Sequence, residues 1–226
     1  MHEIDFSKPV FVVNFKTYPQ ALGDRAIELA NELIRNKSDK QLVIAPPIVE
    51  LKKVIENVSD CPIIAQHVDF VELGAHTGHI TPESVFEAGA SGTLLNHSEK
   101  QLDLETIKHS IKRCREIGLP VIVCVPDPET AERVAAFRPD AIAFEPPELI
   151  GGNISVSTAE PEVIKSAVEK VHQVAHIPVL CGAGVHTSDD VSTALKLGAR
   201  GVLVASGIVK SPYPGKALDD MLAGLD

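Results

Sequence analysis

Eight short apolar runs recur along the chain, each followed by an amphipathic or helix-capable stretch, and this alternation constrains the fold more than any other feature. The runs are Val10–Asn14, Leu42–Ala45, Ile63–Gln66, Gly92–Asn96, Val121–Val125, Ala141–Phe144, Val179–Gly182 and Gly201–Ala205. Several are apolar at nearly every position, as strands covered on both faces must be. Between them, Ala26, Ile27, Leu29, Ala30, Leu33 and Ile34 share one helical face, Ile107, Ile111 and Cys114 a second, and Val163, Ile164, Ala167, Val168 and Val171 a third. Strands that alternate with helices run parallel, so the pattern predicts an α/β fold. Eight such units can close into a (β/α)8 barrel, and residues 1–226 are expected to form one such domain. An open doubly wound sheet is the structural alternative. It usually has fewer units and a glycine-rich dinucleotide turn after its first strand, where this chain has Asn14-Phe15-Lys16-Thr17-Tyr18.

The balance of charge limits the partners. A formal net charge of −10 argues against nucleic acid and anionic membrane surfaces, both of which need a basic face. A small anionic ligand is compatible, provided that local donors hold it: backbone N–H groups at glycine turns and a well-placed cation. No apolar run approaches membrane-spanning length, and the start MHEIDFSK has neither a basic stretch nor an apolar core of a leader, so a cytoplasmic protein is expected. Cys61, Cys114, Cys124 and Cys181 lie far apart without CxxC spacing and read as reduced, and Cys124 and Cys181, which end apolar runs, read as core residues.

Catalytic groups in a (β/α)8 barrel sit at the C-terminal ends of the strands. That filter selects Asn14 and Lys16 after the first run, His97 after the fourth, Glu145 after the sixth, and the glycine turns after the seventh and eighth. Glu145 stands where an apolar strand leaves the sheet, a place where partial burial can tune a carboxylate into a base. Pro146 and Pro147 then stiffen the chain, and Gly151 and Gly152 give a pliable exit, so the segment reads as a lid. His97 can donate to a carbonyl oxygen or move protons between adjacent oxygens. Lys16 can offset negative charge, and Asn14 can fix either the lysine or a substrate oxygen. Gly182-Ala183-Gly184 and Ala205-Ser206-Gly207 each lead toward a helix, and together they form a candidate phosphate cradle. His76-x-x-His79 has ligand-like spacing but no evident third ligand, so no metal site is expected.

A carboxylate on a lid, a neutral donor, a fixed cation and a phosphate grip suit proton abstraction next to a carbonyl in a small sugar phosphate, with no cofactor. Two other readings stay open on these residues. One is an aldolase whose lysine forms a Schiff base. The other is a barrel that binds a phosphometabolite without turning it over.

The motifs resemble the triosephosphate isomerase family in the short form known from archaea. Asn14-Phe15-Lys16, His97-Ser98-Glu99, Glu145-Pro146 and Ile150-Gly151 match the family's motifs, and the resemblance spans the whole chain. It implies a TIM barrel that interconverts glyceraldehyde 3-phosphate and dihydroxyacetone phosphate in glycolysis and gluconeogenesis. Glu145 would be the base, His97 the electrophile and Lys16 the electrostatic anchor, roles for which this family is itself a standard illustration. Ala65-Gln66 and the loop Gly74-Ala75-His76-Thr77-Gly78 resemble the family's third strand and intersubunit loop, which implies an oligomer with Thr77 at the interface. The short form implies a homotetramer over a dimer. The chain departs from the family in having Pro147-Glu148 where Val-Trp is usual, and in Gly182-Ala183-Gly184 and Ala205-Ser206-Gly207 at the phosphate turns.

Overall fold

Seven of the eight apolar runs become ladder strands in the computed structural model, which describes residues 2–146 and 161–225. They are β1 (Val10–Asn14), β2 (Gln41–Ala45), β3 (Thr93–Leu95), β4 (Val121–Val125), β5 (Ala141–Phe144), β6 (Val179–Cys181) and β7 (Gly201–Val204). All pairings are parallel, in the order β2-β1-β7-β6-β5-β4-β3.

The run Ile63–Gln66, expected as a strand, lies between β2 and β3 and forms only isolated bridges, Ile44 with Ile63 and Ala65 with Thr93. Its backbone still joins the ring: Ile64 N–H donates to Ile44 O at 2.9 Å, and Ala65 N–H to Gly92 O at 2.9 Å. Alternate residues serve alternate neighbours, and Pro62 has no N–H to add, so so short a run gives each side a single bridge. The result is a nearly closed eight-membered barrel.

Helices fill the returns. Among the described residues they are α1 (Asp24–Arg35), α2 (Leu51–Asn57), α3 (Pro82–Glu87), α4 (Leu104–Glu116), α5 (Pro128–Ala135), α6 (Pro161–Val174), α7 (Ser188–Lys196), α8 (Ser206–Val209) and α9 (Pro214–Leu222). Their starts are written locally: Thr81, Asp103 and Asp127 each accept the N–H of the residue three positions on, and proline occupies the first turns of α3 and α5.

Side chains alternate across each strand and build two cores. Phe11, Val13, Leu42, Ile44, Val123, Ile142 and Phe144 face the helices. Val10, Val12, Val43, Ala45, Ile64, Leu94, Ile122, Cys124, Ala141, Ala143, Leu180 and Leu203 fill the barrel, with Ile4 and Phe6 packed beneath them. Carrying that period of two past the strand ends determines what lines the mouth. Val12 inside places Asn14 inside, Ala143 places Glu145, Leu180 places Gly182, and Leu203 places Ala205.

Candidate active site

The first turn at the mouth is held in a conformation that a lysine adopts only under constraint. Lys16 has φ of +46°, a left-handed geometry that costs about 1–3 kcal/mol unless its surroundings impose it. Those surroundings are present. The Asn14 Oδ1 accepts the Lys16 N–H at 2.9 Å. The Gln66 amide donates to Asn14 Oδ1 at 3.2 Å, to Lys16 O at 3.1 Å and to Ala45 O at 3.0 Å. The Lys16 ammonium is thereby aimed across the barrel, where it donates to Glu99 Oε1 at 2.8 Å. Sequence reasoning singled out Asn14 and Lys16 but gave Gln66 no part; its position two residues beyond Ile64, on the inward side, was the available signal.

His97 follows Asn96, a second left-handed residue with φ of +58°. Asn96 is tied down by donating to Cys124 O at 2.8 Å and by accepting the Leu102 N–H at 2.7 Å. The His97 Nδ1 accepts the Glu99 N–H at 3.1 Å. A nitrogen that accepts from a backbone amide carries no proton, so in the neutral ring the hydrogen sits on Nε2. That nitrogen lies 3.6 Å from Glu145 Oε1. The separation is too long for a hydrogen bond and leaves both groups able to reach a third. Burial, and then the nearby charge of Lys16, lower the imidazole pKa against the opposing pull of Glu99. His97 is therefore held as a neutral Nε2–H donor.

Glu145 is 3% exposed. Burial pushes its carboxyl up to about 7, although the Cys124 thiol and the Lys16 charge both act to lower it. Its Oε2 has no hydrogen-bond partner among the described residues. Gly182 makes room for its stem: a Cβ on Gly182 would stand 2.4 Å from Glu145 Cγ. Neither the Cys124 contact nor this use of Gly182 was evident from sequence, because both depend on which strands become neighbours.

Lys16, His97, Glu145, Gly182, Ala183, Gly184, Ala205 and Ser206 line one cavity, together with Leu203 and Gly207. Asn14 stands behind Lys16. On its other side Glu145 borders a separate cavity of about 270 Å³ shared with Asn96, Ser98, Cys124 and Arg133. The two glycine turns therefore converge, but their helix ends differ. Asp190 Oδ2 accepts the N–H groups of His186 and Thr187, and Thr187 Oγ1 accepts the Asp190 N–H in return, so that helix start is partly occupied by its own cap. The α8 start has no side-chain cap, and its first N–H groups have no acceptor within the helix. Gly184, at φ of +64°, shapes the other turn. Ile150 and Gly151, with the rest of the expected lid from Pro147 onward, lie outside the described residues. His76 and His79 sit edge to face at 5.7 Å between ring centroids. No group of three metal-capable side chains occurs among the described residues.

The family model described as triosephosphate isomerase matches residues 9–213. The triosephosphate isomerase of Methanopyrus kandleri is 46% identical over 222 residues, covering 96% of this chain and 98% of the relative. That of Methanocaldococcus jannaschii is 44% identical over 216 residues, covering 94% and 98% respectively. That of Methanobacterium bryantii is 42% identical over 226 residues, covering 99% of each. The chain therefore belongs to the triosephosphate isomerase family, whose members are intramolecular oxidoreductases.

Proposed function

We propose that Glu145, His97 and Lys16 interconvert D-glyceraldehyde 3-phosphate and dihydroxyacetone phosphate through an enediolate. The observation that carries this reading is the pairing of a buried carboxylate, pushed up to about 7, with an imidazole that presents Nε2–H 3.6 Å away. Ionised Glu145 takes the proton from the carbon next to the carbonyl. His97 Nε2–H donates to the carbonyl oxygen as charge gathers there, and Lys16 stabilises that charge electrostatically. Glu145 then returns its proton to the neighbouring carbon while His97 moves protons between the two oxygens, so the aldose and ketose exchange with no net gain or loss of atoms. The turns at Gly182–Gly184 and Ala205–Ser206 hold the phosphate, and Ile150 and Gly151 contribute from the lid.

The same geometry disfavours a Schiff-base aldolase. The Lys16 Nζ is engaged by the Glu99 carboxylate at 2.8 Å and lies past the end of β1, not in the apolar strand interior that a Schiff-base lysine occupies. A coupled assay of the two triose phosphates tests the activity directly. Sustained interconversion is expected; borohydride trapping of a lysine adduct with substrate would instead favour the aldolase.

An oligomer completes the site in this proposal. The loop Gly74–Gly78 is exposed, as are Val49 and Leu73 at 79% and 66%. Beside Lys16 lies an open cavity of about 210 Å³ bordered by Asn14, Gln66, His67, Glu99 and Lys100. Thr77 of a second copy suits that socket by size and polarity. Further exposed apolar side chains, Phe70, Val174 and Tyr213, favour a tetramer over a dimer. No helix among the described residues is long and apolar enough to cross a membrane, and the cytoplasm is the proposed location for this single-domain enzyme.

A further inference from the structure

The end of the barrel opposite the catalytic mouth carries a second cavity, of about 400 Å³. It opens where α6 and α7 finish and where β6 and β7 begin, with the N-terminal segment along one side. Its polar edge consists of His172, His176 and Arg200, and its apolar floor of Phe6, Ile177 and Leu195. No carboxylate is among the described residues that line it. In a chain of net charge −10, three nitrogen-donor side chains around one cavity with no carboxylate in its lining are a local exception.

The donors are anchored by the fold but chemically unengaged. The Arg200 backbone is tied on both sides, its N–H donating to Val179 O at 2.7 Å and its carbonyl accepting from Val10 N–H at 3.0 Å. Its guanidinium makes no hydrogen bond or ion pair with any described residue. The rings of His172 and His176 lie 5.9 Å apart between centroids, tilted by 53°. Helix carboxyl ends would repel an anion if their carbonyls were free. Here the α7 carbonyls of Thr193, Ala194 and Leu195 already accept the N–H groups of Leu197, Ala199 and Gly198.

We propose that this cavity binds a phosphate monoester carried on a flat apolar body. Three terminal phosphate oxygens match a guanidinium fork and two imidazole donors, while an aromatic or similarly flat group covers Phe6, Ile177 and Leu195. The volume lies in the range of small-molecule pockets with an apolar floor and few polar groups. An edge that lacks carboxylates does not suit a hard, oxygen-seeking cation or a cationic ligand. The site is independent of the catalytic assignment, since no residue of the mouth lines it.

Calorimetric titration of the intact protein with phenyl phosphate tests this, with Arg200→Ala separating this cavity from the catalytic one. Saturable binding is expected, with inorganic phosphate at least about tenfold weaker because it leaves the apolar floor uncovered. Arg200→Ala should weaken phenyl phosphate by about tenfold or more, Arg200→Lys by less, and both should keep the parent kcat and KM as proof of folding. Absence of saturable binding overturns the proposal, as does equal affinity for phenyl and inorganic phosphate. Unchanged affinity in Arg200→Ala overturns it too.

Discussion

Replacing Gly182 by alanine isolates the placement of the base from its chemistry. A Cβ at this position would lie 2.4 Å from Glu145 Cγ, 3.0 Å from its carboxyl carbon and 3.1 Å from Oε1. Unbonded carbons rest at about 3.5–4.0 Å, so the Glu145 stem must shift by about 1 Å or more. It has somewhere to go, because the cavity of about 270 Å³ adjoins it on the Cys124 side. The backbone gives no obstacle, since Gly182 is not among the positive-φ residues. Misplacing a catalytic group by about 1 Å can cost about 10²-fold in rate, or about 2.7 kcal/mol in the barrier. Gly182→Ala should therefore lower kcat by about two orders of magnitude, a larger change than in KM, while the thermal midpoint changes little. Steady-state kinetics beside a melting curve separates these quantities. A kcat within about twofold of the parent would refute the claim that this glycine sets the carboxylate.

Three further outcomes follow from the same geometry. Glu145 must be ionised to act, so kcat/KM in the free enzyme should fall as pH drops below about 7; a profile flat down to pH about 5 would contradict the assigned base. The linkage runs the other way for stability. A carboxyl raised from 4.5 to about 7 on folding adds stability that is fully present below its unfolded pKa and is lost as pH rises through about 7. Glu145→Gln keeps the shape without the titration, so in urea unfolding it should gain on the parent by roughly 2–4 kcal/mol between pH about 4 and pH about 8; parallel stability curves would show that the carboxyl is not raised. Gln66→Leu removes three hydrogen bonds around Asn14, Lys16 and Ala45. It should reduce kcat by about tenfold or more through a loosened Lys16 turn, and a variant that loses only stability would reduce Gln66 to a structural role.

Much of this site was readable from period alone. Alternation along the β1 and β5 runs carries Asn14 and Glu145 to the inner side of the mouth, and the unbroken apolar stretches Val10–Val13 and Ala141–Phe144 already imply burial on both faces. What the sequence left hidden depends on pairing between distant segments. Ile63–Gln66 makes only one isolated bridge to each neighbour, yet the same short run delivers Gln66 to the Lys16 turn. The sequence presents Gly182 as the opening of a glycine turn; its additional proximity to Glu145 arises only because β5 and β6 are neighbours. The Thr187–Asp190 pair ties up the His186, Thr187 and Asp190 N–H groups at the α7 start, a competition with any bound anion that the glycine turn alone did not reveal.

The most direct test of the central claim is the turnover of Glu145→Ala in the coupled triose phosphate assay, with Glu145→Asp measured beside it. The account predicts that the alanine variant loses at least about three orders of magnitude in kcat while unfolding as cooperatively as the parent. The aspartate, whose carboxylate is set back by one methylene, should fall between them. Near-normal turnover by a folded Glu145→Ala protein would contradict the assignment of Glu145 as the base.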